Sequence, residues 1–255
     1  MDKNTIIEAL DKYMRRKGLR KMDLKTVMFD MDGVLFDSMK NHALCWHKTM
    51  EHFGMHMSQQ EAYMHEGRTG AGTINIVSQR ERGIEATEEE IKNIYEYKSE
   101  LFNKQPEAKP MAGALELLNK VKGDGIIPMV VTGSGQKTLL ERLHRNFPGI
   151  FSKELMVTAF DVKYGKPNPE PYLMGLQKGG NLNISNSMVV ENAPLGVEAG
   201  VASGCFTVAV NTGPLPDSVL TDKGADILFH SMQELSDSWS DLYEVFSHEQ
   251  ILTEA

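Results

Sequence analysis

The chain has 255 residues, of which 41% are hydrophobic and 24% charged, a composition typical of a folded protein and too apolar for a disordered one. Acidic residues outnumber basic ones by 35 to 27, and the formal net charge is −8. This balance excludes the basic surface that nucleic acid or an anionic membrane would require, so neither is expected as a partner. Cys45 and Cys205 are the two cysteines, each in an apolar periodic segment, which predicts reduced, buried thiols and a cytoplasmic location.

A polar segment opens the chain, and residues 1–24 are predicted to form an N-terminal helical extension. Its helix covers residues 4–17 and ends at Gly18, a residue type that often terminates helices. The apolar run at residues 26–29 predicts a buried strand.

Residues 38–105 are predicted to form an all-helical insertion. Apolar residues recur there at intervals of three and four, and no strand pattern interrupts them. Asp37 and Ser38 are good residues for a helix start, and Thr87 with Glu90 has the spacing of a capping box. We expect the flanking linkers, residues 36–38 and 105–110, to act as hinges.

From Pro110 onward, helices and strands alternate. Strands are predicted at residues 126–131, 155–158, 188–190 and 206–210, with an edge strand at 225–229; helices are predicted at 112–121, 137–146, 170–178 and 195–203. Such alternation is typical of a parallel sheet covered on both faces. The fold prediction is therefore an α/β protein: a Rossmann-like core of five or six parallel strands (residues 25–37 and 106–230), the inserted helical cap, and an amphipathic surface helix within residues 231–255.

Polar side chains follow four of the predicted strands. They are Asp30 and Asp32, Thr132 and Ser134, Lys166, and Glu191 with Asn192. Since ligands bind at the carboxyl ends of parallel strands, we expect these groups to meet at one edge of the sheet. Carboxylate and amide oxygens suit Mg²⁺, while a lysine and hydroxyl groups suit a phosphoryl group. An isolated Asp-x-Asp-Gly is usually a turn, but agreement among four strand ends favours a functional site.

These motifs resemble those of the haloacid dehalogenase-like phosphohydrolases. The matching residues are Asp30-Met31-Asp32-Gly33-Val34, Thr132, Lys166-Pro167-Asn168-Pro169 and Glu191-Asn192. Residues 29–38 together with His42 and Trp46 resemble the β-phosphoglucomutase-like branch, and the insertion resembles its C1 helical cap. The resemblance extends over nearly the whole chain after Leu24.

The resemblance implies a role for each matched residue. Asp30 would attack phosphorus, and Asp32 would protonate the leaving oxygen and then deprotonate water. Thr132 and Ser134 would bind the phosphoryl group, and Lys166 would offset its charge. Mg²⁺ would be held by Asp30, the backbone carbonyl of Asp32 and the corner formed by Glu191 and Asn192, where the family commonly has an aspartate in place of Asn192.

The cap offers three further candidates: His42, Glu66 and Arg68. His42 either touches substrate or positions Asp32, or it is a solvated surface residue. Where the mutase has a lysine and an arginine that hold a second phosphate, this chain has Glu66 and Gly70. Glu66 is predicted to ligate Mg²⁺ when the cap closes, or else to be merely solvated, and Arg68 is predicted to bind a small leaving group.

These cap residues favour a small phosphorylated substrate, and we expect inorganic pyrophosphate. The alternatives are a β-phosphoglucomutase, a sugar-phosphate phosphatase, or a phospho-ligand sensor without activity. The chain is expected to act as a monomer or a weak oligomer.

Overall fold

Six parallel strands form the central sheet of the computed structural model, which describes residues 1–135 and 139–248. They are β1 (Thr26–Phe29), β2 (Ile127–Val131), β3 (Met156–Val157), β4 (Ser187–Glu191), β5 (Phe206–Val210) and β6 (Ile227–Phe229). Their order across the sheet is β3-β2-β1-β4-β5-β6, with every neighbouring pair parallel. The next two strands in the chain, β2 and β3, lie on one side of β1, and β4, β5 and β6 lie on the other. β1 therefore borders the point where the strand order reverses, which is where ligands bind in such sheets.

Helices surround this sheet and form the insertion. They are α1 (Lys3–Lys17), α2 (Met39–His52), α3 (Gln59–Met64), α4 (Gly70–Arg82), α5 (Glu88–Asn103), α6 (Ala114–Gly123), α7 (Leu139–Asn146), α8 (Glu170–Lys178), α9 (Pro194–Ser203), α10 (Asp217–Thr221), α11 (Met232–Asp237) and α12 (Trp239–His248). The predicted start of α7, at residue 137, lies outside the described residues. In the described part of the chain, no helix combines the length and the apolar character needed to cross a bilayer.

Both faces of the sheet are buried, which confirms the predicted α/β fold. Val27 and Phe29 of β1 point into a core shared with α1, α6, α7, α11 and α12. Met28, between them, points to the opposite face and packs with residues of α8 and α9. Because successive side chains of a strand point to opposite faces, a strand covered on both sides needs a continuous apolar run.

The two ends of the chain belong to this core. Tyr13 of α1 packs edge-on against Phe206 with ring centroids 5.3 Å apart, and Phe246 of α12 packs on the same ring at 5.0 Å. The C-terminal segment was predicted as a single amphipathic helix, but it forms two helices, α11 and α12, with Ser238 between them. The apolar residues Trp239 and Leu242 of α12 are buried, as the amphipathic pattern predicts.

The insertion contains four helices, α2 to α5, around a small core of its own that includes Met50, Ile74 and Ile94. Thr87 and Glu90 form the predicted capping box, whereas α3 was not predicted as a separate helix. The two linkers run side by side, since Asp37 N donates to the Lys109 carbonyl at 2.9 Å. The cap is therefore joined to the core through one narrow connection.

The packing of α1 predicts that Leu10→Ala lowers the free energy of unfolding by about 2–5 kcal/mol, because Leu10 is fully buried and its removal leaves a cavity in the core. Urea denaturation measures this change. Glu8→Ala, an exposed position on the same helix, is the control. Equal effects of the two substitutions would contradict the assignment of α1 to the core.

Candidate active site

A cavity lies between the cap and the carboxyl ends of the central strands. The core contributes Asp30, Asp32, Thr132, Gly133 and Ser134; the cap contributes Met39, His42, Trp46, Ala62, His65, Glu66, Gly67, Arg68, Gly70, Thr73, Tyr95 and Lys98. The cavity volume is about 70 Å³. The structure thus brings residues from the first two predicted motifs together with the three predicted cap residues.

A buried lysine connects three elements beneath this cavity. Lys166 is 1% exposed, and its Nζ donates to Asp30 Oδ1 and to Glu191 Oε1, both at 2.5 Å, and to the Val131 carbonyl at 2.9 Å. Burial lowers the pKa of Lys166, but the two carboxylates more than offset this and the net shift is upward. For Asp30, an acid, burial has the opposite effect: it raises the pKa to about 7, although Lys166 opposes the shift.

Glu191 is held on every side. Besides Lys166, it accepts a hydrogen bond from Tyr172 Oη at 2.5 Å and one from the Asn192 backbone N–H at 3.1 Å. A Cβ atom on Gly196 would lie only 2.0 Å from its carboxylate, so the backbone of α9 approaches Glu191 through a glycine. The carboxylate is therefore committed to positioning Lys166.

Asp32 is held by residues at the start of the cap. Ser38 Oγ donates to Asp32 Oδ1 at 2.5 Å, and His42 Nε2 lies 3.3 Å from the same oxygen. Burial raises the pKa of Asp32, but His42 and Ser38 outweigh it and hold that pKa below its usual range. Of the three possibilities for His42, the geometry favours positioning of Asp32.

Lys98 continues this chain of contacts into the cap. Its Nζ lies 2.8 Å from His42 Nδ1, and its side chain is 4% exposed. Burial lowers the pKa of Lys98 to about 8. Lys98 was not among the residues predicted from the sequence. It lies on the apolar face of α5, four residues after Ile94 and four before Phe102, where a lysine is unusual and indicates a specific role.

The cap loop also brings Glu66 to the core. Both carboxylate oxygens of Glu66 lie 3.2 Å from Asn192 Nδ2. Burial raises the pKa of Glu66 well above its usual value, and the negative charge of Asp30 adds to the effect. The loop fits here through Gly67, whose φ is +82° and where a Cβ would lie 3.1 Å from Lys166 Cδ.

The donor set fits Mg²⁺. The carboxylates of Asp30, Asp32 and Glu66 lie close enough to interact electrostatically, and hard oxygen ligands are those that Mg²⁺ prefers. Asn192 Oδ1 is buried without a hydrogen-bond partner, so it is an oxygen available to a cation. Among residues 1–135 and 139–248, no three Asp, Glu, His or Cys side chains converge on one point as a ready metal site. The predicted ligand set does not require this, because it draws on an amide and a backbone carbonyl.

The remaining predicted residues have separate positions. Thr132 Oγ1 accepts a hydrogen bond from the Ser134 backbone N–H at 3.1 Å, which places both hydroxyl-bearing residues in one loop beside the cavity. Arg68 lines the cavity, but its Nε is buried without a partner. Burial lowers the pKa of Arg68, and the carboxylate that opposes this is Glu198, which does not line the cavity. Phosphate binding by Arg68 stays a prediction.

Comparisons with known proteins agree with this geometry. A sequence profile described as "Haloacid dehalogenase-like hydrolase" matches residues 27–210. Hexitol phosphatase A of Escherichia coli (strain K12) is 30% identical over 217 residues, which cover 84% of this chain and 94% of that protein. A phosphorylated carbohydrates phosphatase of Thermotoga maritima is 30% identical over 184 residues, covering 71% of this chain and 82% of that protein.

Solved structures extend the similarity to the cap. A protein described as "Putative beta-phosphoglucomutase from Bacteroides vulgatus" superimposes with a TM-score of 0.94 at 61% sequence identity, over 97% of this chain and 100% of that one. The two chains therefore share the core, the insertion and the terminal helices.

The geometry around Lys166 predicts that Lys166→Met lowers the free energy of unfolding by about 3–5 kcal/mol, because Asp30 and Glu191 are left buried without their counter-charge. Lys223→Met is the matched control. Lys223 pairs with Glu198 at 2.6 Å, but both side chains are more than a third exposed, so we expect a loss below about 1 kcal/mol. Urea denaturation compares the variants, and similar losses would show that burial of the pair is unimportant.

Proposed function

The chain belongs to the haloacid dehalogenase-like hydrolases, and from this premise we propose that it hydrolyses the phosphate monoester of a small sugar or polyol. The relatives that support this proposal include the two carbohydrate phosphatases above and a glycerol-1-phosphate phosphohydrolase of Saccharomyces cerevisiae, 28% identical over 227 residues.

The observation that carries the proposal is the chemistry of the cap side of the cavity. Trp46 and Tyr95 offer aromatic faces, while Thr73 and His65 offer neutral hydrogen-bonding groups. Aromatic faces pack against the C–H groups of a sugar, and neutral polar groups hydrogen bond with its hydroxyl groups. A second phosphate would instead need cations, and the loop has Glu66 and Gly70 where the mutase has a lysine and an arginine, so that Arg68 is the cation of this loop that lines the cavity. We therefore favour a phosphatase over a mutase.

In the proposed mechanism, Asp30 Oδ attacks phosphorus while the bond to the leaving oxygen breaks, and Asp32 donates a proton to that oxygen. Asp32 then takes a proton from water, which attacks the aspartyl-phosphate and releases inorganic phosphate and free Asp30. Lys166 orients Asp30 and offsets negative charge, while Ser38 and His42 orient Asp32. The charge of an arriving phosphate raises the proton affinity of Asp32, so we expect a proton to be taken up on substrate binding.

Mg²⁺ would be held by Asp30, the Asp32 carbonyl and Asn192, with Glu66 reaching the same corner from the cap. When bound, the ion neutralises charge that builds up on the transferred phosphoryl group. Two residues also shape the electrostatics of this site. Lys166 neutralises part of the negative charge of the carboxylates, and Glu191 holds Lys166 in place.

Inorganic pyrophosphate is the second candidate. Two observations favour it: Glu66 beside Asn192 and a cavity of about 70 Å³, small against the roughly 300 Å³ of typical ligand pockets. The comparisons give it no support, since the relatives named above act on phosphorylated carbohydrates or glycerol phosphate. It ranks below the carbohydrate monoester for this reason.

We expect Asp30→Asn to abolish phosphate release from sugar and polyol phosphates, because the amide is not a nucleophile. Asp32→Asn should reduce kcat about 10²- to 10⁴-fold through loss of the acid and base. Asp23→Asn, an exposed carboxylate next to Lys25 and outside the cavity, is the control. Near-normal turnover by Asp30→Asn would disprove the mechanism. If the wild-type protein binds phosphate esters but does not hydrolyse them, the alternative of a phospho-ligand sensor without activity is correct instead.

Glu66→Gln tests the role of the cap carboxylate. If Glu66 assists Mg²⁺, the variant needs a higher Mg²⁺ concentration for half-maximal activity, because one negative charge near the ion is lost. The Mg²⁺ titration is run with glycerol phosphate, glucose 6-phosphate and pyrophosphate. Glu51→Gln, on an exposed face of α2, is the control. An unchanged Mg²⁺ requirement would show that Glu66 is not a ligand, and preference of the wild type for pyrophosphate would reverse the order of the two candidates.

A further inference from the structure

A hydrogen bond from a remote loop reaches the turn that follows Asp32. Thr212 lies two residues after the end of β5, and its Oγ1 donates to the Gly33 carbonyl at 2.6 Å, although the two residues are 179 positions apart in the chain. Thr212 belongs to none of the four motifs, and in the described part of the chain it is not among the residues that line the cavity. It therefore touches the site through Gly33.

The loop that carries Thr212 is fixed to the sheet without the help of this hydroxyl group. The backbone N–H of Thr212 donates to the Val210 carbonyl at 2.9 Å, and that of Asn211 donates to the Phe229 carbonyl, on the neighbouring strand β6, at 2.8 Å. Because backbone groups close this loop by themselves, the hydroxyl group is free to hold another segment. The segment that it holds is the turn at Gly33.

Gly33 is confined from two further sides. It is buried with a φ of +87°, and its N–H donates to the Phe36 carbonyl at 2.8 Å. The N–H and C=O groups of a trans peptide point in opposite directions, so this bond also fixes the direction of the Asp32 carbonyl. A Cβ on Gly33 would lie 2.1 Å from Asn192 Nδ2 and 3.3 Å from Asn192 Oδ1, so the side chain of Asn192 packs directly on this glycine. Thr212 restrains the peptide on the other side of Gly33.

The two oxygens beside Gly33 are those that the proposed Mg²⁺ site requires. One is the Asp32 carbonyl, and the other is Asn192 Oδ1, which is buried without a hydrogen-bond partner among the described residues. We infer that Thr212 is a positioning residue for this site: its hydroxyl group restrains Gly33, and so holds the Asp32 carbonyl and Asn192 Oδ1 in their relative positions. Groups that orient metal ligands through hydrogen bonds affect metal affinity about 10- to 100-fold. The inference rests on the Mg²⁺ site of the proposed function and adds a residue that makes no contact with the ion.

Thr207 provides a matched control on the same strand. Its Oγ1 donates to a backbone carbonyl, that of Cys205, at 3.0 Å, but it lies near the amino end of β5, at the far end of the strand from the site. Thr207→Val and Thr212→Val both replace a hydroxyl group by a methyl group of similar size. The first loses a bond within the strand, whereas the second loses the bond to the turn.

The test measures Mg²⁺ binding by isothermal titration calorimetry in the absence of substrate, so that it does not depend on turnover. For Thr212→Val, we expect the Kd for Mg²⁺ to rise about tenfold. Thr212→Ser keeps the hydroxyl group and should keep a Kd close to the wild-type value, and so should Thr207→Val. The Mg²⁺ concentration for half-maximal phosphate release from glycerol phosphate should rise in parallel for Thr212→Val alone.

The outcomes separate this inference from the proposed function. If Thr212→Val binds Mg²⁺ as tightly as the wild type, Thr212 does not position the ligands, and the proposed function stands. An equal rise in Kd for Thr212→Ser or Thr207→Val would also overturn the inference, because the effect would not belong to the hydroxyl group at Gly33. If the wild type binds Mg²⁺ but hydrolyses no monoester, the proposed function is wrong, and a higher Kd for Thr212→Val alone still supports the inference. A wild type that does not bind Mg²⁺ would contradict both.

Discussion

The buried ammonium group of Lys166 is the interaction on which the site depends. It joins Asp30 after β1, Glu191 at the end of β4 and the carbonyl of Val131 at the end of β2. Two carboxylates this close would repel each other, and burial would favour protonation of both. With Lys166 between them, Glu191 serves as a support and Asp30 is aimed at the cavity. The alignment of three strand ends and the orientation of Asp30, the proposed nucleophile, thus have one cause.

Cap and core divide the chemistry between them. The core supplies Asp30, the proposed nucleophile, and Lys166, whereas the cap supplies the groups that hold Asp32 and those that line the rest of the cavity. The path from Lys98 through His42 to Asp32 means that a helix of the cap acts on a carboxylate of the core. Glu66, in a loop of the cap, likewise contacts a core residue, Asn192. An arrangement of this kind is complete only when the cap lies against the core, which links catalysis to exclusion of water.

The layer formed by α1, α6, α7, α11 and α12 has a different role. It buries one face of the sheet, and its aromatic residues pack around Phe206. The terminal helices fix the positions of the central strands, and through them the positions of the side chains that follow those strands. Their contribution to activity is thus indirect, by way of the rigidity of the sheet.

The sequence by itself determined the order of elements, the parallel sheet and the residues at its carboxyl edge. Apolar periodicity reports which faces are buried, and parallel topology forces the residues after β1, β2 and β4 to one edge, so Asp30, Thr132 and Glu191 follow from pattern alone. Tertiary structure decided what depends on distance between remote segments. It shows that the carboxylate of Glu191 is hydrogen bonded to Lys166 and Tyr172, whereas Asn192 Oδ1 has no hydrogen-bond partner among the described residues. It also shows that Lys98 and His65 line the cavity. It also places the terminal helices in the core, because an amphipathic pattern shows that one face is covered but not what covers it.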